Sequence, residues 1–208
     1  MTGDARSGSY HHGDLRRALA ETGLELARAS GADGVALREV ARRVGVSHNA
    51  AYRHFADREA LLAEIGSLAM ERLTAAMEAD LATITDDDPV VRARERLKAV
   101  GRAYVAFALA EPGLFGVAFS AKAGHAVDSP AGPPVDVGPY GLLNTVLDEL
   151  TAVGYLAEDR RPGSDVACWA AVHGFSELCL DGPLRLLPVD LRDAALERLL
   201  DTVDRGLA

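Results

Sequence analysis

"VGVSHNAAYRHFADREALL", residues 44–62, decides how this chain is read. It crowds Ser47, His48, Asn49, Tyr52, Arg53, His54 and Arg58 into a few turns, too polar for a core helix and too regular for a linker. Just upstream, "LREVARRVG" sets Leu37, Val40, Ala41 and Val44 on one helical face and stops at Gly45. Ser47 is placed to accept a bond from a free amide of the next turn, so it caps a second helix from His48 to about Phe55. A small residue, Ala41, stands four positions before Gly45, which lets two short helices pack closely across a tight turn. These are the requirements of a helix-turn-helix.

Turning Ala51 and Phe55 inward, with Val40, Val44 and Val46, sends Asn49 and Arg53 to the opposite side and leaves His48, Ala50 and Tyr52 on the flanks. The second helix of such a unit enters the DNA major groove. Asn can bond adenine bidentately, Arg can do the same with guanine, and Ala can touch a thymine methyl.

The rest of the chain reads as helix after helix. Leu15, Ala18, Leu19, Thr22, Leu26 and Ala29 share a face that Gly31 and Gly34 close off. Asp57 caps a helix carrying Leu61, Leu62, Ile65, Leu68, Ala69, Leu73 and Met77. Asp88 with Pro89 opens another, which runs to about residue 110. "GLFGVAFSA" is a short apolar helix, and residues 122–138, rich in Gly and Pro, read as a mobile loop. "YGLLNTVLDELTAVG" and "DVACWAAVHGFSELCL" follow, the second so apolar that burial on several sides is expected. Asp190 is read as the cap of a last amphipathic helix. No strand-type alternation occurs, so the expected fold is all-α with about nine helices: a DNA-binding unit over residues 1–60 and a helical body over 61–208.

Composition bounds the function. Net charge is −9, yet residues 1–60 carry 9 Arg against 8 acids, while residues 61–208 carry 13 basic against 23 acidic residues. The acidity therefore lies in the body, a distribution that keeps the body away from a polyanion. No apolar run approaches the roughly 20 residues that span a bilayer, and the opening residues lack a signal-peptide core. Cys168 and Cys179 share a helix face about 16 Å apart, too far to bridge, which fits a cytoplasmic setting. The six histidines form no metal-ligand spacing. No nucleophile elbow, phosphate loop or carboxylate pair points to an enzyme, and no cofactor is expected.

The segment "GVSHNAAYRHFADREALL" resembles the signature of the TetR/AcrR family of transcriptional regulators, and residues 13–62 follow it closely. "YHHGDLRRAL" and "WAAVHGF" are similar to a branch named for a Trp-His-Gly motif, here Trp169, His173 and Gly174. The resemblance implies a homodimeric, ligand-responsive DNA binder, most often a repressor, that pairs through its C-terminal helices on an inverted-repeat operator. It implies phosphate contacts from Tyr52, His54, Arg58 and Ser47, with a further one from Arg38, and base contacts from His48, Asn49, Ala50 and Arg53. Arg6, Arg16 and Arg17 are candidates for an N-terminal arm or first helix. The chain departs from the pattern at Ala36, where Thr is common, and at Ala51, where a larger aliphatic is common.

For an unknown small-molecule effector, Tyr104, Phe107, Phe115, Phe119, Tyr140, Asn144, Trp169 and His173 are the expected lining of a pocket that is mostly apolar with a few polar groups. His173 has two readings: one of those polar groups, or a histidine satisfying a buried hydrogen bond. The rival for the whole chain is a helical small-molecule-sequestering protein with no operator.

Overall fold

The computed structural model describes residues 12–120 and 138–208. Within them lie nine α-helices and no strand: α1 (His12–Ser30), α2 (Leu37–Val44), α3 (His48–Tyr52), α4 (Arg58–Leu81), α5 (Pro89–Ala110), α6 (Pro112–Ala118), α7 (Gly138–Ala152), α8 (Ser164–Leu180) and α9 (Val189–Leu207). Most of the segment read as a mobile loop lies outside the described residues; its last member, Gly138, is the first residue of α7.

The helix starts follow local chemistry. Ser47 Oγ accepts from the Ala50 amide at 3.2 Å, and Asp57 Oδ1 from the Ala60 amide at 2.7 Å. Asp88 Oδ1 accepts from the amides of Val90 and Val91, with Pro89 at the first position of α5. Each bond satisfies a donor that the first turn of a helix leaves without a partner.

Three expectations are corrected. Helix α3 stops at Tyr52 rather than Phe55, because the His54 amide turns back to the Ala51 carbonyl at 3.0 Å in a tighter closing turn. Helix α9 begins at Val189 with no side-chain cap; Asp190 lies inside its first turn, where its carboxylate faces the positive end of the helix dipole. Helix α8, expected to be buried on several sides, buries a stripe through Cys168, Val172, Phe175 and Cys179 and leaves Val166 61% and Leu178 44% exposed. Its apolar composition reports how much surface it could bury, not what the single chain buries.

One core runs through the molecule. Leu19 and Leu24 of α1 pack with Leu61, Leu62 and Ile65 of α4, and the same helix carries Leu73 and Met77 into the body, all fully buried. Helix α4 crosses residue 60 unbroken, so the N-terminal unit and the body share it. Helix α6 meets the end of α1 closely: a Cβ on Gly113 would lie 2.2 Å from the Ala27 carbonyl oxygen, so no larger residue fits there. Beside that contact Arg28 pairs with Glu111 at 2.8 Å.

Helices α5 and α9 are held by a ladder of charges at four-residue steps on α5. Arg94 meets Asp204 at 2.6 Å, Lys98 meets Asp201 at 2.8 Å, and Arg102 meets Glu197 at 2.7 Å. The descending numbers on α9 show that the two helices run antiparallel. Hydrogen bonds to Arg102 and to Lys98 hold the Glu197 and Asp201 carboxyls below their ordinary range. The Arg94 rung differs from the others because Asp204 is only 1% exposed. Arg94 also lies 4.7 Å from the ring centre of Tyr155, whose hydroxyl donates to the Asp204 carbonyl at 3.2 Å.

Removing one partner of a buried pair leaves a desolvated charge, which costs more than losing both. Arg94→Met should therefore destabilise the fold by about 3 kcal/mol, and the double change Arg94→Met with Asp204→Asn should recover part of that loss, as read from urea unfolding.

Candidate nucleic-acid interface

The turn between α2 and α3 is made by Gly45, whose φ of +79° is left-handed and disfavours any side chain. The Val46 amide bonds the Ala41 carbonyl at 3.0 Å and closes the turn. Val40, Ala41, Ala51 and Phe55 are all buried, with Val44 and Val46 half-buried against them. As expected from the sequence, this seating leaves Asn49, Tyr52 and Arg53 exposed and His48, Ala50 and His54 half-buried.

The arginines sort the surface. Arg17 pairs with Glu21 at 2.7 Å, and Arg42 and Arg43 share Glu39 at 2.7 and 2.8 Å. Hydrogen bonds from Arg42 and then Arg43 hold the Glu39 carboxyl down to about 2. Arg16 pairs with Glu64, donates to the His54 carbonyl at 2.8 Å and covers the Phe55 ring at 4.5 Å. Among the described residues of the N-terminal unit, Arg38 and Arg53 are the arginines whose side chains make no internal ion pair or hydrogen bond. Both are exposed, Arg53 just past α3 and Arg38 in the first turn of α2. Arg6 lies outside the described residues.

Two expected contacts change character. Arg58 donates Nε to the Val35 carbonyl at 2.8 Å and Nη2 to the Ala32 carbonyl at 2.6 Å, tying the start of α4 to the turn before α2. With one edge of its guanidinium held by two carbonyls, Arg58 is a brace for the interface, and its Nη1, 3.8 Å from Glu59, lies on the other edge. His48 stands edge-on to Tyr52 with ring centres 4.4 Å apart, and its buried Nε2 has no partner among the described residues. Its base-reading atom would have to be Nδ1, or the ring would have to turn. Sequence spacing gave no signal for the Arg58 bonds, because both acceptors are backbone atoms more than twenty positions away. The Glu39 pairs with Arg42 and Arg43 were readable at three- and four-residue spacing.

In the body, the residues expected to line a pocket meet but do not leave one open. The Tyr104, Phe115, Phe119, Trp169 and His173 rings pack against one another at centre distances of 4.8 to 6.3 Å, and Tyr140 joins through Trp169 at 5.4 Å. Tyr104 and His173 Nδ1 share a hydrogen bond of 2.8 Å, the satisfied-histidine reading. The Tyr140 hydroxyl donates to Asp165, and burial followed by that bond pushes the phenol up to about 12. Asn144 bonds the Tyr140 carbonyl and receives Arg161, so it is a strut between elements. Phe107 is buried without a ring contact to the cluster among the described residues. A partly open space nearby, about 30 Å³, lies against Tyr104 and Trp169 and is lined by Leu97, Val172 and Leu200; it has room for a water, not an effector.

The N-terminal residues 19–65 match the family model described as bacterial regulatory proteins, tetR family. Residues 97–203 match the model described as the tetracyclin repressor-like C-terminal domain, a description that does not extend to the Trp-His-Gly branch. The chain is similar to a solved structure of a protein with unknown function from Rhodococcus sp. RHA1, at 32% identity over 97% of this chain and 100% of that one, with a TM-score of 0.72. Similar in fold are TetR from Acinetobacter baumannii AYE (22% identity, 90% and 93% covered, TM-score 0.61) and the TetR family transcriptional regulator PfmR from Thermus thermophilus (22%, 91% and 98%, 0.56). No curated protein matches the chain.

If Arg58 is a brace, Arg58→Ala should destabilise the N-terminal unit by about 2 kcal/mol, the range for losing a charge-assisted hydrogen bond, seen as a lower midpoint of unfolding. Arg58→Lys should recover little, since an ammonium cannot match the guanidinium fork. A phosphate contact in addition would show as a flatter salt dependence of DNA binding in the same variant.

Proposed function

The chain belongs to the TetR family of transcriptional regulators, and from that premise we propose that it is a ligand-responsive repressor that binds an inverted-repeat operator as a homodimer in the cytoplasm. The observation that carries this reading is the outer face of α3. Its Asn49 and the adjoining Arg53 are exposed, and neither side chain has an internal partner among the described residues, beside a frame whose other arginines, Arg38 apart, are paired. Groups left without partners on a short helix aimed outward are what base reading needs.

Residues 1–60 form the DNA-reading unit in this proposal, and 61–208 the effector-binding and dimerisation body. Asn49, Arg53, Ala50 and His48 meet base edges. Tyr52, His54, Ser47 and Arg38 position the unit on phosphates, which orients without specifying sequence. The pairing surface is supported by exposed apolar side chains on α8, α9 and the turn joining them: Val166, Leu178, Leu186, Val189 and Leu191, between 44% and 84% exposed. Exposed large apolar side chains concentrated in two consecutive helices and their turn suit an interaction surface. Twofold pairing there presents two α3 helices to successive major grooves, hence the inverted repeat.

The effector acts by binding better to a DNA-incompetent arrangement than to the competent one. Helix α4 is the element placed to carry that difference. Its first residue, Arg58, braces the DNA-reading unit, and Met77 near its other end lines the small cavity of the body.

Base and phosphate contacts separate in variants. Asn49→Ala should relax preference at one base position, at a cost of about 1–3 kcal/mol for the preferred base. Tyr52→Phe should weaken all duplexes nearly uniformly. Binding to a panel of systematically varied duplexes reads both, and an unchanged preference in Asn49→Ala would remove that residue from the reading set.

A further inference from the structure

The aromatic cluster of the body is a cage with one of its own rings inside. Phe119 sits 4.8 Å from Phe115, 5.0 Å from His173, 5.9 Å from Trp169 and 6.0 Å from Tyr104, in tilted and edge-on arrangements. These are the separations at which rings attract through their quadrupoles. The four surrounding rings come from α5, α6 and α8, whereas Phe119 stands just past the last residue of α6. Tyr104 and Phe115 are fully buried, whereas Trp169, His173 and Phe119 are half-buried, and of these three Phe119 alone stands outside a helix. It is therefore the ring that can leave by turning about a helix end, without drawing a core helix after it.

Resting on the reading of the chain as a ligand-responsive regulator, we infer that Phe119 fills an effector site, and that the effector is a neutral, planar aromatic molecule of one or two rings that takes its place. The walls supply faces and edges that suit a flat π-system. The Tyr104–His173 hydrogen bond, 2.8 Å long, supplies the polar pair that fixes a hydroxyl or carbonyl on such a molecule. No Asp, Glu, Lys or Arg side chain is among the rings, and burial, followed by the Glu177 carboxylate, pushes the Tyr104 phenol upward, so an anion is disfavoured there, and loss of water costs a cation as well. Two carboxylates stand at its margin: Asp165 accepts from Tyr140, and half-exposed Glu177 stands 4.0 Å from His173 Nε2.

The test uses benzyl alcohol as probe on the full chain. Trp169 is the sole tryptophan of the chain and a wall of the cage, so its emission reports occupancy directly. Benzyl alcohol should change that emission saturably, and in Phe119→Ala it should bind about tenfold more tightly, because the competing ring is gone and the competent state is more populated. Phe119→Leu, which keeps an apolar side chain, serves if the alanine variant does not fold, and should move affinity in the same direction. Cyclohexylmethanol and benzyltrimethylammonium, which match the size but lack the ring or the neutrality, should bind more weakly. No saturable response in either variant, or equal binding of either control, overturns the cage. DNA affinity is read separately in the same samples. Release of DNA by benzyl alcohol supports the full proposal, whereas saturable binding that leaves DNA affinity unchanged overturns the effector role and leaves the cage standing.

Discussion

Helix α3 has five residues, too few to hold a helix by its own hydrogen bonds. Its orientation depends on burial of Ala51 and Phe55, and Phe55 is secured from above by the guanidinium of Arg16. That group also takes the His54 carbonyl and Glu64, so one side chain of α1 holds the end of the reading helix and α4 together. Arg58 does the same for the turn ahead of α2. The direction in which Asn49 and Arg53 point is thus a property of α1 and α4, not of α3.

The same packing joins the body to the interface. Helix α4 reaches both regions without a break, and α6 presses Gly113 onto the end of α1. A shift of either helix is passed on because packed interiors do not deform smoothly. At the far side, the ladder from Arg94, Lys98 and Arg102 holds α9 to α5 and so sets how the exposed apolar side chains of α8 and α9 are presented.

What could be read from the sequence was what is local. Caps at Ser47, Asp57 and Asp88 depend on groups two or three residues away, and each stands as expected. The inward turn of Ala51 and Phe55 followed from helical period alone. The early end of α3 did not, since Phe55 keeps the apolar rhythm after the helical bonds have stopped. The bracing role of Arg58 could not be read, because its acceptors, two backbone carbonyls, leave no trace in sequence. Likewise the aromatic residues of the body could be chosen by type and helix, but whether they enclose space or fill it depends on packing between helices. They fill it, with Phe119 among them.

The account stands most directly on what DNA the folded protein selects. Selection from a random double-stranded pool at near-physiological salt suppresses binding that rests on phosphates alone. The account predicts an enriched inverted repeat whose half-sites lie about one helical turn apart or a multiple of it. Folded, dimeric protein that enriches no sequence would contradict it.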